Sequence, residues 1–319
     1  MTTRLNLPGV PNGVCRIVQG TAMLTGRDLD TEFALLDACI SHGCNTFDTA
    51  ENYGRGRSER VLGDWMRERD NRSRLTIISK GGHPYGDVTR INRSAIREDL
   101  FSSLRRLGTE WIDVYLLHRD DTSVPVSIAV DTLNELHAEG LIGAFGGSNW
   151  TFERIREAND YAARQGLVPF AVSSPQFSLA DQLVAPWPGC VSISGASDIT
   201  ARNWYAESGM LLLVWSSLAG GFFSGRFPLV SGDRVANEEE LHCLQVYGSD
   251  INLARLQRTK ELAACRGVSP AQVALAFVLA QNFTTAAITG ARTPHEVSQN
   301  MGALSFSLSA ADTDWLLNG

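Results

Sequence analysis

The chain has 319 residues, of which 44% are hydrophobic and 20% are charged, and this composition is typical of a globular protein with one sizeable core. The net charge of −7 and the isoelectric point near 5.4 indicate no basic surface for nucleic acid, so nucleic acid is not an expected partner. The chain begins without an apolar signal core and has no apolar stretch of the roughly 18 residues that span a bilayer, so we expect a cytoplasmic protein with no membrane partner.

The hydrophobicity pattern alternates short apolar runs with amphipathic stretches along the whole chain. The apolar runs predict eight strands, at 14–20, 46–48, 76–80, 112–118, 144–148, 171–176, 211–215 and 286–289. The amphipathic stretches predict helices at 31–42, 58–69, 93–107, 126–139, 152–164, 201–208, 253–266 and 271–281. Alternating helices and apolar strands, eight in number, predict a (β/α)8 TIM barrel forming a single domain over residues 1–319. An open doubly wound sheet is disfavoured because no G-x-G-x-x-G follows the first strand.

Two connections are longer than usual. Residues 216–250 follow the seventh strand, contain the glycine-rich run at 220–225, and include an acidic run at 238–240 that we expect to lie in the loop. The second connection, at 184–190, is rich in proline and carries a tryptophan. Loops of this length in compact domains are usually functional, so both are expected to border a site.

The six cysteines show no spacing that is typical of a metal site or a redox motif. They stand at 15, 39, 44, 190, 243 and 265, without a C-x-x-C or a Cys/His pattern. This scatter suits free thiols in a reducing compartment better than disulfides. The sequence therefore predicts no metal centre.

Lysine is rare in this chain and one lysine has an unusual place. Only two of the 28 basic residues are lysine, and Lys80 ends an apolar run just before two glycines. An ammonium group can be desolvated and can share a proton, which a guanidinium cannot do readily. Asp48 and Tyr53 lie at or just beyond the end of another run, and His118 ends a third. Because parallel barrel strands converge at their carboxyl ends, we expect these four side chains to lie together.

These motifs together resemble the aldo-keto reductase superfamily over nearly the whole chain. The matching segments are Phe47-Asp48-Thr49-Ala50, Tyr53-Gly54, Ser58-Glu59, Ser79-Lys80, Leu117-His118-Arg119-x-Asp121, Gly147-Ser148-Asn149, Gln176, Ser216-x-x-Ala219-Gly220-Gly221, Gly290-x-Arg292 and Gln299-Asn300. The resemblance implies a catalytic tetrad of Asp48, Tyr53, Lys80 and His118. It also implies an enzyme that reduces a small carbonyl substrate with a nicotinamide cofactor.

The chemistry of carbonyl reduction accounts for these residue types. Hydride transfer to a carbonyl carbon develops negative charge on the oxygen, so a proton donor is needed there. Tyr53 would donate, and because a phenol has a pKa of about 10, we expect Lys80 to lower it while Asp48 keeps Lys80 charged. His118 would orient the carbonyl oxygen. Taken singly, each residue also suits a structural role such as a cap, a buried ion pair or a core histidine.

The resemblance implies NADPH as the cofactor, with NADH less favoured. The residues expected to hold it are Ser148, Asn149, Gln176, Trp215, Ser216, Leu218, Gly220, Arg226, Gly290, Arg292, Gln299 and Asn300. The first three would bind the nicotinamide carboxamide, Trp215 would stack on the ring, and the loop after it would cover the pyrophosphate. The last four belong to the adenosine segment. Arg292 carries the NADPH preference, since a guanidinium matches a 2′-phosphate and the neighbouring Ala291 offers no donor.

The substrate is expected to be a small, partly apolar aldehyde or ketone. Its site would be bordered by His83, Tyr85, Trp187 and Phe223, although such aromatic residues often only pack loops. Three other functions stay open: an NAD(P)-dependent alcohol or sugar dehydrogenase with the same site, a Schiff-base enzyme using Lys80, and a cofactor-binding regulatory subunit of a membrane channel. The sequence does not define the oligomeric state, and a monomer is compatible with it.

Overall fold

Eight parallel strands close into a barrel in the computed structural model, which describes residues 3–228 and 237–319. In chain order the barrel strands are β3 (Ile17–Gly20), β4 (Thr46–Asp48), β5 (Thr76–Gly81), β6 (Ile112–Leu117), β7 (Ile142–Ser148), β8 (Val172–Ser174), β9 (Leu211–Val214) and β10 (Thr285–Thr289). Each strand pairs with its neighbour in sequence, and β10 pairs with β3 to close the barrel. The predicted (β/α)8 barrel is confirmed.

Two further strands precede the barrel and were not predicted. Strands β1 (Arg4–Leu7) and β2 (Val10–Cys15) form an antiparallel hairpin. Its apolar side chains Leu7, Val10 and Val14 belong to the same buried cluster as the barrel interior, which includes Val18 and Ile78. The hairpin therefore closes one end of the barrel.

The predicted first strand at 14–20 is wrong in its bounds, because it joins the end of β2 to the whole of β3. The two strands are separated at Arg16, whose side chain donates to the carbonyl oxygens of Leu279 (2.8 Å) and Thr285 (3.4 Å). Apolar residues flank Arg16 on both sides, so hydrophobicity alone could not show that the chain changes partners there.

Helices surround the barrel. They are α1 (Leu29–Ser41), α2 (Arg57–Arg69), α3 (Arg93–Leu107), α4 (Val126–Ala138), α5 (Phe152–Gln165), α6 (Ile199–Ser208), α7 (Glu238–Tyr247), α8 (Asp250–Arg266), α9 (Pro270–Leu279), α10 (Pro294–Gly302) and α11 (Ala310–Asn318). Their apolar faces and the outward side chains of the strands, such as Phe47 and Phe145, form the larger buried cluster. Several helices start at a side-chain cap, as Ser269 shows by accepting from the amide of Gln272.

The expectation that the acidic run at 238–240 lies in a loop is wrong. These residues form the first turn of α7, where Asn237 is the cap and accepts from the amide of Glu240. Acidic residues in a first turn interact favourably with the helix dipole. Residues 229–236 of the predicted loop lie outside the described residues.

The described part of the chain has no single helix that is both long and apolar enough to cross a bilayer. Helices α8 and α9 meet the length and composition requirement only as a pair, and they are bent by 102° relative to each other. Most of α9 is buried within the protein, as is usual for a core helix.

Candidate active site

The side chain of Lys80 connects the residues predicted to form a tetrad. Its Nζ donates to Asp48 Oδ1 at 2.6 Å, to the Thr49 carbonyl oxygen at 2.9 Å and to the Tyr53 hydroxyl at 3.3 Å. An ammonium group has three donors, so all three are used. Lys80 and Asp48 are each only 2% exposed. The structure therefore contains a buried ion pair that holds a phenol hydroxyl in a fixed place.

Two histidines lie beside this group. The rings of Tyr53 and His118 meet edge to face with centroids 5.8 Å apart, and those of His118 and His83 do so at 5.1 Å. The Nδ1 atom of His118 is buried and has no hydrogen-bond partner among the described residues. Buried polar atoms are nearly always paired, so the unpaired Nδ1 is unusual and makes His118 a candidate functional residue.

Burial and charge act against each other on the ion pair. Burial raises the pKa of Asp48, and the Lys80 charge only partly offsets it, so the net direction is upward. Burial lowers the pKa of Lys80, but the nearby Asp48 and Tyr53 outweigh that effect and raise it above its ordinary value. Lys80 therefore stays an ammonium at neutral pH.

Burial also dominates the phenol and the imidazole. It raises the pKa of Tyr53, with Lys80 opposing and Asp48 adding to the rise, and the net value lies above the ordinary one. Lys80 lowers the phenol pKa, as expected, but desolvation outweighs its effect. Burial lowers the pKa of His118 well below its usual value, helped by Lys80 and Arg119. His118 is therefore a neutral imidazole at neutral pH.

These directions predict the pH dependence of carbonyl reduction. A phenol with a raised pKa stays protonated up to alkaline pH, and an imidazole with a lowered pKa stays neutral down to acid pH. We therefore expect kcat/KM for reduction to be level from about pH 6 to about pH 9 and to fall as the pH rises through the Tyr53 pKa. The pH–rate profile measures this, and an inflection near pH 6.5 would show that His118 titrates in its ordinary range.

A cavity of about 760 Å³ begins at this group and runs along the carboxyl ends of the strands. Asp48 and Tyr53 line one part of it. Of the residues predicted to bind the cofactor, the cavity is lined by Trp215, Ser216, Leu218, Gly220, Arg226, Gly290 and Arg292. The structure thus brings the tyrosine, the glycine-rich loop and the late arginine around one space.

A further part of the cavity lining was not predicted. It comprises the end of β3, the loop after it and part of α1, through Gly20, Ala22, Met23, Leu24, Thr25, Thr31, Glu32 and Leu35. No charged or catalytic motif marks residues 20–25. Their place after the first barrel strand was the available signal, since loops at the carboxyl ends of barrel strands form the sites in this fold.

Strained backbone occurs at the same end of the barrel. Asn149, Ser216 and Ala219 have φ angles of 59°, 51° and 52°, in the left-handed region that residues other than glycine rarely adopt. Such conformations cost roughly 1 to 3 kcal/mol each and concentrate at functional sites. The loop after β9 is therefore held in a defined shape over the cavity.

Two arginines that line the cavity form ion pairs with glutamates on α7 and α10. Arg226 Nη2 lies 3.1 Å from Glu296 Oε2, and Arg292 Nη2 lies 2.8 Å from Glu239 Oε1. Both pairs are partly exposed, and exposed ion pairs contribute only about 0 to 1 kcal/mol. Either arginine can therefore exchange its carboxylate partner for another anion at little cost.

The residues expected to hold the carboxamide do not line this cavity. Ser148 and Asn149 are buried beside His118: Asn149 Nδ2 donates to the His118 carbonyl oxygen at 3.3 Å and to Ser148 Oγ at 3.1 Å. Gln176 is fully buried, and its Oε1 accepts from Ser192 and Ser194. It forms a bridge with Trp215, so it lies next to the cavity wall.

Two other predicted cofactor residues lie on α10. Asn300 is buried and lines a small separate pocket with Thr289, and Gln299 is partly buried. Neither lines the main cavity. The structure therefore does not bring these two together with the other cofactor residues.

The four residues expected to border the substrate differ in their surroundings. His83 contacts His118, and Trp187 is 54% exposed with its ring centroid 6.1 Å from that of Trp215. Tyr85 is exposed and donates to Glu51 Oε1 at 2.8 Å. Phe223 is fully buried against Phe222, so the structure does not place it at a substrate opening.

Comparison with known proteins identifies the family. A family model described as "Aldo/keto reductase family" matches residues 16–316. The chain belongs to the aldo/keto reductase family. This confirms the resemblance read from the sequence, and with it an oxidoreductase acting on carbonyl or alcohol groups.

Relatives of this aldo/keto reductase carry more than one name. A "Probable voltage-gated potassium channel subunit beta" of Oryza sativa subsp. japonica is 30% identical over 91% of this chain and 88% of its own length. The "Aldo-keto reductase ausK" of Aspergillus calidoustus is also 30% identical, over 93% of this chain and 74% of its own length.

Solved structures show the same barrel. A glycerol dehydrogenase from Gluconobacter oxydans superimposes with a TM-score of 0.82 at 24% identity, covering 98% of this chain and 94% of its own. An aldo/keto reductase from Klebsiella pneumoniae, solved in complex with NADP and acetate, superimposes with a TM-score of 0.74 at 25% identity, covering 99% and 94%. At this identity the first of these establishes the fold alone.

Proposed function

We propose that this aldo/keto reductase reduces an aldehyde or ketone to the alcohol with NADPH, and that Tyr53 is the general acid. The observation that carries the proposal is the buried Lys80 ammonium, bonded at once to Asp48 and to the Tyr53 hydroxyl where the cavity begins. A proton donor fixed at such a place is what hydride transfer to a carbonyl requires.

The cavity fits a dinucleotide in size and in the chemistry of its walls. Its volume of about 760 Å³ lies within the range of roughly 300 to 1,000 Å³ that small-molecule sites have. Arg226 and Arg292 provide cations for phosphate in its lining, which also contains Trp215 and Tyr53. The buried Trp215 Nε1 has no partner among the described residues. Bound NADPH would supply the hydride.

Each residue of the tetrad then has a defined task. Tyr53 gives its proton to the carbonyl oxygen, and Lys80 stabilises the phenolate that remains. Asp48 keeps Lys80 charged and in place. His118, neutral by the direction of its pKa, offers its free ring nitrogen as a hydrogen-bond partner for the substrate oxygen. In the oxidation direction Tyr53 accepts the proton instead.

A turnover screen tests the proposal directly. Purified protein would be assayed with NADPH and NADH against aldehydes, ketones and sugars, and with NADP+ and NAD+ against the matching alcohols. Carbonyl reduction with NADPH is the expected result. Faster turnover of alcohols at neutral pH would instead assign the protein to the dehydrogenase function.

Arg292 is the residue on which we base the preference for NADPH. We expect Arg292→Ala to weaken NADPH binding roughly 10- to 150-fold and NADH binding little, since a hydrogen bond to a charged group contributes about 1.5 to 3 kcal/mol and NADH lacks the 2′-phosphate. Fluorescence titration with both nucleotides measures this.

Glu239→Gln is the matching control for this experiment, because it frees Arg292 from its carboxylate partner without removing the guanidinium. This variant should bind NADPH at least as well as the unchanged protein. Equal losses for both nucleotides in Arg292→Ala would show that Arg292 serves a part common to both. A parent protein that prefers NADH would contradict the assignment.

A regulatory role is a second candidate, because relatives in plants and in Schizosaccharomyces pombe are named as potassium channel beta subunits. Cofactor binding without measurable turnover of any carbonyl would favour it. A Schiff-base mechanism is disfavoured, since the raised pKa of Lys80 keeps its amine protonated and all three donors have acceptors.

A further inference from the structure

Arg119 follows His118 directly at the end of β6 and is half-buried. Its Nη1 donates to the His118 carbonyl oxygen at 2.9 Å, and its Nη2 contacts Cys190 Sγ at 3.8 Å. A thiol sulfur is a weak acceptor, and a guanidinium has five N–H donors. Among the described residues, strong acceptors therefore leave most of the hydrogen-bonding capacity of Arg119 unused.

The charge of Arg119 is not neutralised locally. Across residues 3–228 and 237–319, Arg119 takes part in none of the ion pairs. The two acidic residues that follow it are already committed, since Asp120 pairs with Arg154 at 2.9 Å and Asp121 accepts from Ser123. A partly buried cation without a carboxylate is costly, so a functional partner is the simplest explanation.

Arg119 lies near the residues proposed to react with the substrate and does not line the cofactor cavity. Neither Arg119 nor its neighbours His83, His118 and Cys190 line that cavity. The Arg119 charge nevertheless acts on the tetrad, because it helps to lower the pKa of His118 and opposes the rise in the pKa of Tyr53. The bond from its Nη1 to the His118 carbonyl oxygen places the guanidinium beside His118, the residue proposed to orient the substrate carbonyl.

We propose that Arg119 is a specificity-determining residue that binds an anionic group, carboxylate or phosphate, on the carbonyl substrate. This inference rests on the proposed carbonyl reduction at Tyr53. A guanidinium can bind either anion with two parallel hydrogen bonds, which fixes orientation as well as charge. The protein carries a net charge of −7, so an unpaired cation beside the tetrad also attracts an anionic substrate to the one place where it reacts.

Matched substrates test the proposal. We expect kcat/KM for 4-carboxybenzaldehyde to exceed that for methyl 4-formylbenzoate by about 10-fold or more, since the two differ in the negative charge. A second pair, glyceraldehyde 3-phosphate and glyceraldehyde, distinguishes phosphate from carboxylate. Preference for the anionic member of at least one pair supports the proposal, and the pair that shows it identifies the anion.

Variants of Arg119 assign the preference to this side chain. Arg119→Gln should lower the ratio of kcat/KM for the preferred anion to kcat/KM for its neutral partner about 10-fold or more. Arg119→Lys should keep part of the preference, because it retains the charge but not the paired donors. Arg67→Gln makes the same change in net charge at an exposed site and should change neither substrate.

The outcomes separate this inference from the proposed function. If aldehydes are reduced without preference for an anion, or if Arg119→Gln lowers both members of a pair equally, Arg119 is structural and the proposed function stands. If no carbonyl compound is reduced, the proposed function fails. The role of Arg119 is then tested by measuring whether the protein binds small anions. With NADP+ present, calorimetry should then show that the parent protein binds benzoate or inorganic phosphate and that Arg119→Gln does not; no such difference would overturn the proposal.

Discussion

Tyr53→Phe is expected to lower kcat/KM for carbonyl reduction by about 10² or more while nucleotide binding changes little. The substitution removes the proton donor and leaves the ring in its edge-to-face contact with His118. General acid catalysis contributes roughly 10² to 10⁴ in rate, and an acid that acts only in the transition state should affect kcat as much as kcat/KM. Steady-state kinetics with NADPH and fluorescence titration of the nucleotide measure the two effects.

Tyr115→Phe is the matched control for that variant. Tyr115 lies on β6, is fully buried, and has a hydroxyl with no partner among the described residues. Its loss therefore removes a phenol hydroxyl from the barrel without removing a donor from the tetrad, and turnover should stay close to that of the parent. Near-parent turnover of Tyr53→Phe would mean that another group supplies the proton.

Lys80→Met is expected to lower kcat by roughly 10² to 10³. Without the ammonium the phenolate loses the nearby charge that stabilises it most, and burial would raise the phenol pKa further. Asp48 would remain buried without its partner, and breaking a buried ion pair by removing one member costs about 3 to 5 kcal/mol. We therefore expect a lower midpoint in chemical unfolding together with the loss of rate.

Two controls separate charge from structure in this experiment. Lys80→Arg keeps a positive charge, but its larger planar group does not match the three acceptors that Lys80 uses, so it should restore only part of the activity. Lys260→Met changes the other lysine, which is exposed on α8, and should alter neither rate nor stability. Parent-like activity of Lys80→Met would contradict the proposed role.

The sequence predicted the barrel and the tetrad for the same reason. Alternating apolar strands and amphipathic helices indicate a parallel barrel, and the carboxyl ends of such strands meet at one end. Asp48, Lys80 and His118 stand at or beside the ends of β4, β5 and β6, so their meeting follows from the topology. The distances between these side chains could be obtained only from the folded structure.

Other features could not be predicted from the hydrophobicity pattern, because they depend on the packing and the contacts of the folded chain. The rise in the Tyr53 pKa results from desolvation outweighing a nearby charge, and the degree of burial is set by packing. Arg119 has no ion-pair partner among residues 3–228 and 237–319, and one reason is that the adjacent Asp120 pairs with Arg154. The hydrophobicity pattern did not indicate the hairpin before the barrel, because the apolar residues of β2 and β3 are separated only by Arg16.

That hairpin also bears on how the protein can change over generations. Leu7, Val10 and Val14 secure the base of the barrel, at the end away from Tyr53 and Lys80. Substitutions there should alter stability, whereas substitutions in the loops beyond β6 or β9 should alter the proposed chemistry and leave the hairpin end of the barrel intact. Natural selection can therefore change the stability of the protein and its choice of substrate through substitutions at different positions in the sequence.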